Sequence, residues 1–538
     1  MRADAPRPNR PSPIPKRLAA AGALVLLAAG WGLLTADRPA AADRLAGGWS
    51  DDPARNLALA DGPGDQVQPK LVPDGAGGVY LSWYDGGAGG YDPSLQRIDA
   101  RGFERWPHAG LKVADTGFDW VTDYGLSVDR EGAALLAFRD DRGEAPRVTL
   151  ARILPDGSLA WGPEGRSPSG PAEFIGPPKV LGSSDGAIYL AWNEDARLRL
   201  LRLNPDGEPV WPEPLTLEDR AGAALYLADL QAAPDGGCIL SWVRNDGFTA
   251  PRHLYAQRYD VTGRPSWGER LEGGDPEPLA IFTAGSLQFG NFPSFLPDGQ
   301  GGAVFAWYET SPLQVRVQRV RPDGSRVFAE DGALAGSPRP DLERVEPALA
   351  YDPASADLYV FWRETPVAGG VFRQALRGQR FDAQGVPRWG EDGREIVAMG
   401  PTERVQLQAF AEPDGVTLAD VETLAQAQDQ RLWIRRLDRA GDERWPASPV
   451  AVSSVASTKS RLALLGSPAP ADAAGADERP WALLAWEDGR AGQADIYAQS
   501  VQPDGRLGPA EGPTPEPTRE PGTPVPVAGR IWLPRLWR

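Results

Sequence analysis

Short stretches of this chain alternate between apolar and polar residues, and glycine- or proline-containing turns separate them. The segment Gly78–Trp83 reads GVYLSW, which places Val79, Leu81 and Trp83 on one side of an extended strand. The same phrase recurs in seven further places, with small changes: Leu135–Phe138, Tyr189–Trp192, Ile239–Trp242, Val304–Trp307, Tyr359–Trp362, the degenerate Val416–Val421, and Leu483–Trp486. The pattern predicts eight equivalent β-strands in an all-β chain.

A second repeated phrase sets the length of the unit. An arginine is followed nine residues later by an aromatic residue, with a glycine between them, first as Arg97, Gly102 and Trp106. Further copies are Arg152/Gly157/Trp161, Arg202/Gly207/Trp211, Arg258/Gly263/Trp267, Arg319/Gly324/Phe328, Arg380/Gly385/Trp389 and Arg436/Gly441/Trp445. A repeat of about 50 to 60 residues with four antiparallel strands predicts the blades of a β-propeller. In this interpretation Trp106 opens the fourth strand, and the aromatic residues pack against the glycine turns and the neighbouring blades.

The two ends of the repeat array complement each other. The eighth copy, Ser500–Gly505, lacks its aromatic residue, whereas Trp49, Leu57 and Leu59 precede the first unit without a third strand of their own. We therefore predict one propeller of eight four-stranded blades, closed by the N-terminal strand, which hides the sheet edges. The alternative is a seven-bladed ring in which the degenerate unit Val416–Val421 is an insertion.

The segments outside the repeats suggest export. Residues 1–42 combine basic residues, the apolar stretch Leu18–Leu34 and the small residues Ala40–Ala42, as in a secretory signal peptide. The alternative is an uncleaved membrane anchor, and both place the propeller, residues 43–512, outside the cytoplasm, secreted or at the cell surface. Residues 513–538 predict a Pro/Thr-rich disordered tail, whose apolar and basic tip Arg530–Arg538 is a docking tag or touches a membrane surface.

Composition limits the chemistry. The formal net charge of −17 argues against nucleic acid as a partner, because phosphate binding needs a basic surface. Cys238 is the only cysteine and His108 and His253 are the only histidines, so no intrachain disulfide can form and histidine- or cysteine-based catalysis has little support. We predict no catalytic residue and no cofactor. Paired-carboxylate hydrolysis stays open, because acidic residues are plentiful.

Acidic residues recur two positions after the strand phrase. Six of the eight copies carry a carboxylate there: Asp85, Asp140, Glu194, Glu309, Glu364 and Asp488. A ring of carboxylates on one face of a propeller would attract Ca²⁺ or a basic partner, which makes these residues weak candidates for metal ligands. In the alternative interpretation each one caps its loop or pairs locally, as Asp140 with Arg142 and Asp488 with Arg490.

The last unit resembles a known repeat. Trp486–Gln499 reads WEDGRAGQADIYAQ, which is similar to the W-x-D-x-R-x-G-x-x-D-I-Y-A-Q blades of exported bacterial β-propeller proteins, mostly uncharacterised. The resemblance implies the architecture and no activity. The sequence thus favours a monomeric, non-enzymatic binding or scaffolding module that receives a protein or glycan on its loops. The alternative is an extracytoplasmic carbohydrate-active hydrolase or lyase that uses carboxylates at the mouth of the ring.

Overall fold

The computed structural model describes residues 48–509, except positions 88, 117, 119, 171 and 370 and segments 270–273, 425–427 and 467–479. The predicted signal peptide or anchor and the predicted tail lie outside these residues. In the described part of the chain, no helix has the length and apolar character needed to cross a membrane. All regular structure in this part consists of β-strands.

The strands follow the predicted rhythm. The first four blades of the ring, with the closing strand before them, contain β1 (Leu57–Ala60), β2 (Gln66–Pro73), β3 (Val79–Asp85), β4 (Asp92–Ile98), β5 (Leu111–Lys112), β6 (Gly125–Val128), β7 (Ala134–Asp140), β8 (Arg147–Ile153), β9 (Lys179–Gly182), β10 (Ile188–Glu194), β11 (Arg197–Leu203), β12 (Leu215–Leu217), β13 (Ala224–Ala232), β14 (Cys238–Asn245), β15 (Arg252–Tyr259) and β16 (Leu279–Phe282). The remaining blades contain β17 (Phe295–Pro297), β18 (Ala303–Thr310), β19 (Leu313–Val320), β20 (Ala333–Leu334), β21 (Leu342–Asp352), β22 (Asp357–Pro366), β23 (Gln374–Phe381), β24 (Arg394–Gly400), β25 (Glu403–Glu412), β26 (Gly415–Thr423), β27 (Gln430–Asp438), β28 (Val450–Ser457), β29 (Lys459–Gly466), β30 (Ala482–Asp488) and β31 (Asp495–Val501).

These strands form eight antiparallel sheets, so the predicted eight-bladed propeller is confirmed. Blade 1 is β2–β5, and each later blade takes the next strands in chain order, with the first strand innermost. Blade 2 has three regular strands, and the bridge between Leu150 and Arg166 stands in the place of its fourth. The seven-bladed alternative is wrong, because the degenerate unit forms the complete blade β25–β28. The register places Asp420 at the position where other blades carry tryptophan or phenylalanine; it is fully buried and pairs with Arg404 and Arg435.

The N-terminal strand closes the ring, as predicted. Strand β1 pairs antiparallel with β31, with Leu57 opposite Ala498, and supplies the outer strand of blade 8. Trp49 then lies over the turn of blade 1, where its indole Nε1 donates a hydrogen bond of 3.0 Å to the carbonyl of Ala100. The first and last blades are therefore joined by the same devices that join the others.

The repeated aromatic residue is a clasp between neighbouring blades. Each one covers the glycine turn of the next blade so closely that a Cβ atom on the glycine would lie 2.7–3.3 Å from it. The eight pairs are Trp49/Gly102, Trp106/Gly157, Trp161/Gly207, Trp211/Gly263, Trp267/Gly324, Phe328/Gly385, Trp389/Gly441 and Trp445/Gly505. Only glycine fits these turns, and its positive φ, +89° at Gly102, adds a second reason.

One detail of the predicted blade is wrong. Trp106 does not open the fourth strand, which begins five residues later at Leu111. A bridge between Ile98 and Glu104 holds the start of this segment, and the backbone N–H of Trp106 donates to the side-chain oxygen of Gln96. The segment therefore stays against the third strand of its own blade while the indole reaches the next one.

The topology gives the ring two distinct faces. Connections from the second to the third strand and from one blade to the next emerge on one side, which we call the loop face. The turns from the first to the second strand and the glycine turns emerge on the other side, the turn face. Innermost strands run from the loop face to the turn face and line the central channel.

Candidate functional site: the loop face and the central channel

Large apolar side chains are exposed mainly on the loop face. Eight of the twelve exposed large hydrophobic residues in the described part of the chain lie in its loops or at their ends: Trp120, Phe174, Phe248, Phe289, Phe292, Val367, Val371 and Phe372. The turn face carries the other four, Phe103, Val210, Val261 and Val386. Six of the seven exposed aromatic residues are thus on the loop face, which is the asymmetry expected of a surface that meets a partner.

The aromatic residues of blade 4 and of the loop that follows it lie together. The rings of Phe248 and Phe289 have centroids 5.7 Å apart, and Phe248 is 80% exposed. The guanidinium of Arg252 stands over the Phe289 ring at 4.9 Å. Phe292 lies 6.0 Å from Tyr226 at the start of the innermost strand. This patch joins the outer part of the loop face to the mouth of the channel.

The six predicted carboxylates all lie at the ends of second strands, at the loop face. Five of them have an arginine partner: Asp140 with Arg142 and Arg147, Glu194 with Arg199, Glu309 with Arg316, Glu364 with Arg344, and Asp488 with Arg490. Asp85 instead accepts a hydrogen bond from the backbone N–H of Gly87 in its own loop. Each carboxylate is thus held within its blade.

The two most buried carboxylates show how firm these local contacts are. Burial raises the pKa of Asp140, but hydrogen bonds from Arg142 and Thr149 outweigh it and hold the pKa at about 2. Asp488 is likewise fully buried, and Arg490 and Lys459 lower its pKa to about 2 against the effect of burial. Both side chains are therefore ionised acceptors in internal ion pairs at neutral pH.

The described residues contain no group of three or more acidic, histidine or cysteine side chains arranged to hold a metal ion. Calcium binding by the six candidates stays a prediction. Cys238 is completely buried in β14, and burial raises its pKa. His108, between the glycine turn and the outer strand of blade 1, contacts Asp61 and Glu104 at 3.0 Å, far along the chain from His253 in β15.

The central channel carries a charged cluster that the sequence did not reveal. Strand register places Lys70 of blade 1 opposite Ser82, Lys179 of blade 3 opposite Ala191, and Asp229 of blade 4 opposite Ser241. These three partners occupy the same position in the repeated strand phrase. The charged residues therefore lie at one level of the channel wall.

Asp123 joins the two lysines across blade 2. Its two carboxylate oxygens contact Lys70 Nζ at 2.6 Å and Lys179 Nζ at 2.7 Å. The side chains of Lys70, Asp123 and Lys179 are 28%, 44% and 23% exposed, so water reaches the cluster from the channel. Lys70 also stands over the ring of Tyr124, 4.8 Å from its centroid. We call Lys70, Asp123 and Lys179 the lysine cluster.

The two lysines share their counter-charge unequally. Burial lowers the pKa of Lys70, and Asp123 compensates only in part. Burial acts in the same direction on Lys179, but there the charges of Asp123 and Asp229 outweigh it and raise its pKa. The same two ammonium groups hold the pKa of Asp123 well below its usual range, although burial opposes them. Asp123 contacts both lysines, and Asp229 at the same level of the wall provides a second negative charge close to Lys179.

A cavity of about 470 Å³, whose wall also contains Asn291, Ser294 and Gln408, occupies the other side of the channel. It forms where β17, the innermost strand of blade 5, has only three residues, whereas β21 of blade 6 and β25 of blade 7 have eleven and ten. Its wall includes Phe292, Leu296, Leu349, Leu407 and Leu464, from blades 5 to 8 and the loop before them. Glu346 is the only acidic residue of this wall, and it pairs with Arg363.

Comparisons with known proteins identify no family. No protein-family model matches the chain, and no curated protein matches it. Among solved structures, the polysaccharide lyase Uly1 is 12% identical, with a TM-score of 0.38 over 83% of this chain and 91% of that one. Dipeptidyl peptidase 4 of Porphyromonas gingivalis is 12% identical (TM-score 0.39; 81% and 59%), and the exo-inulinase of Aspergillus awamori is 10% identical (0.33; 76% and 96%). Likenesses of this size do not bear on the function of this chain.

Proposed function

We propose that this chain is a non-enzymatic β-propeller that acts outside the cytoplasm as a binding or scaffolding module, with a protein partner docked on its loop face. The observation that carries the proposal is that, among residues 48–509 as far as the structure describes them, six of the seven exposed aromatic side chains lie on that face. Aromatic residues and arginine are the side chains enriched in protein interfaces, and Phe248, Phe289 and Arg252 form such a group.

Charge indicates the kind of partner. The chain as a whole has a net charge of −17, so it attracts proteins whose contact surface is basic and repels acidic ones. A basic surface with an apolar centre therefore complements the loop face better than a neutral glycan does. This preference predicts a complex that forms faster at low ionic strength.

The arrangement of carboxylates favours binding over hydrolysis. Paired-carboxylate chemistry needs two acidic groups on one ligand-sized cavity. The cavity in the channel has Glu346 alone, and five of the six carboxylates at the strand ends are engaged with arginine in their own blades. Release of reducing ends from a panel of polysaccharides, retained in a Phe248→Ser/Phe289→Ser variant and lost in Glu346→Gln, would reverse the proposal in favour of the hydrolase or lyase.

The test compares two double variants of the full chain as baits in the envelope fraction of the source organism. Phe248→Ser/Phe289→Ser alters the loop face, and Val210→Ser/Val386→Ser is the matched control on the turn face. We expect a basic protein that the wild type and the control capture, that the loop-face variant loses, and that salt weakens. Equal capture by all three proteins, or glycan-array binding that the loop-face variant retains, contradicts the proposal. N-terminal sequencing of the fractionated protein tests export and cleavage.

A further inference from the structure

The short innermost strand of blade 5 leaves part of the second strand without a partner. Strand β17 has only three residues and pairs with β18 no further than Phe305. In blade 1 the innermost strand continues, so that Ser82 and Tyr84 of the second strand both have partners. Ala306 and Tyr308 occupy these two positions in β18, and within the described part of the chain no strand pairs with them on the channel side.

The backbone groups of Ala306 and Tyr308 face the cavity in the channel. Alternate residues of a strand direct their N–H and C=O groups to the same side. Gly302 and Thr310 make backbone hydrogen bonds of 3.0 and 2.9 Å on the side of β17, to the turn after this strand and to the loop before it. Ala306 and Tyr308 lie between them in the same alternation. Ala306 is 6% exposed and lies on the cavity wall, so a buried strand edge is open to another extended chain.

The rest of the cavity wall suits an extended peptide. Asn291, Ser294 and Gln408 offer amide and hydroxyl groups, whereas Phe292 and Leu407 offer apolar surface. A polypeptide presents the same mixture of polar amides and side chains. In strand addition the main chain supplies the hydrogen bonds, and the surrounding wall selects alternate side chains.

The predicted tail, residues 513–538, contains a segment with the composition that strand addition needs. Proline lacks the backbone N–H, and residues 527–533, which read VAGRIWL, are the longest run without proline in this tail. Ile531 and Trp532 belong to the residue types that favour strands. Residues 530–538 include three arginines and no acidic residue, in a chain whose net charge is −17.

The tail is long enough to reach the cavity. The described chain ends at Pro509, beside Trp49 at the outer side of blade 8. Residues 510–526 span up to about 55 Å when extended. Crossing the four strands of blade 8 takes about 14 Å, and the length of an eight-residue strand adds about 27 Å. Leu464 in the innermost strand of the same blade already lies on the cavity wall.

We propose that the tail segment 527–533 enters the central channel and pairs with the open edge of β18, at Ala306 and Tyr308, as an additional strand of blade 5. The tether keeps the segment at a high effective concentration, so a few hydrogen bonds are sufficient to hold it. This contact lies within one chain and does not involve Phe248 or Phe289. It and the proposed protein partner therefore fail separately.

Hydrogen exchange of the full chain tests the pairing. Ile531→Pro/Trp532→Pro removes two adjacent N–H groups, one of which faces β18 whichever way the segment alternates. Peptides covering Ala303–Thr310 should exchange about tenfold faster in this variant than in the wild type, as measured by mass spectrometry. Thr514→Pro is the matched control, because it adds a proline to the tether and leaves the segment intact. It should exchange as the wild type does.

Disulfide formation locates the segment. Ser294→Cys places a thiol on the cavity wall, and the native Cys238 is completely buried and does not compete. We combine it, one at a time, with Arg530→Cys, Ile531→Cys, Trp532→Cys and Leu533→Cys. An intrachain disulfide should form at alternate positions, because successive side chains of a strand point to opposite sides. Val72→Cys is the matched control, because Val72 is half-buried in the innermost strand of blade 1 and is not part of the cavity wall.

Several outcomes would overturn the proposal. Equal exchange of β18 in the wild type and in Ile531→Pro/Trp532→Pro would show that water alone occupies the cavity. Equal disulfide formation at all four positions, or with Val72→Cys as readily as with Ser294→Cys, would show a segment without a fixed place. Disulfides that join two chains would assign the segment to a second copy. None of these results would change the capture of a protein by the loop face.

Discussion

Removing the indole of Trp49 tests whether the ring is closed in solution. Trp49 is 6% exposed, covers Gly102 and donates to the carbonyl of Ala100 at 3.0 Å. A buried tryptophan removes roughly 200 Å² of surface from water, or about 5 kcal/mol at 25 cal/mol per Å². The alanine retains part of this area and the neighbours relax, so we expect Trp49→Ala to lower the free energy of unfolding by about 3 to 4 kcal/mol.

Trp211→Ala is the matched control for this experiment. Trp211 is also 6% exposed, covers Gly263 and donates to the carbonyl of Val261 at 3.1 Å, but its seam is internal to the chain. If the ring is closed, Trp49→Ala and Trp211→Ala should lower the free energy of unfolding by similar amounts. Trp49→Phe should lose only about 1 kcal/mol, because the ring stays and one hydrogen bond is removed. Phe328 already serves as a clasp in blade 5.

Urea titration followed by far-ultraviolet circular dichroism measures these differences, since it reports loss of the sheets rather than of one indole. The reasoning is refuted if Trp49→Ala stays within about 0.5 kcal/mol of the wild type while Trp211→Ala loses several. That result would mean that the N-terminal segment is not part of the cooperative ring.

Two further substitutions, both followed by urea titration, test the segment that joins the third and outer strands of blade 1. Gly102→Ala should destabilise the protein by several kcal/mol more than Gly89→Ala, because both glycines have φ near +90° but only at Gly102 would a Cβ atom meet a neighbour, at 2.7 Å; equal losses would show that backbone strain alone matters. Hydrogen bonds to Asp61 and Glu104 raise the pKa of His108 to about 9, so its contribution is full below the unfolded pKa near 6.5 and disappears as pH rises through 9. Because the side chain is 35% exposed, we expect His108→Gln to lose about 1 kcal/mol at pH 6 and nothing at pH 10, and a loss that does not change with pH contradicts this.

The repeats were predictable because the residues of each blade contain the full pattern of strands and turns of that blade. The phrase Gly78–Trp83 corresponds to β3, Val79–Asp85, and even the degenerate Val416–Val421 lies within β26, Gly415–Thr423. Alternation alone places these residues in a strand, but it did not reveal that a buried Asp420, paired with Arg404, stands where other blades carry tryptophan. The ring was also predictable, because the missing aromatic residue at one end matched Trp49 at the other.

The channel site was not predictable in the same way. Lys70, Asp123 and Lys179 lie more than fifty residues apart along the chain, and only the register of β2 and β9 and the loop before β6 bring them together. A usable signal was present, since lysine is rare in this chain and two copies occur at one position of the unit. The cavity exists because β17 has only three residues, and no pattern in the sequence predicts that this strand is short.

The pairing of β1 with β31 also determines when the fold can be completed. Leu57 meets Ala498, a partner that is translated 441 residues later. At 5 to 20 residues per second, the N-terminal strand waits roughly 20 to 90 s for its partner to be synthesised. During that interval β1 has no sheet to join. Trp49 therefore cannot yet connect blade 1 to a completed blade 8. The nascent chain therefore remains an open, unlatched array until its last blade emerges from the ribosome.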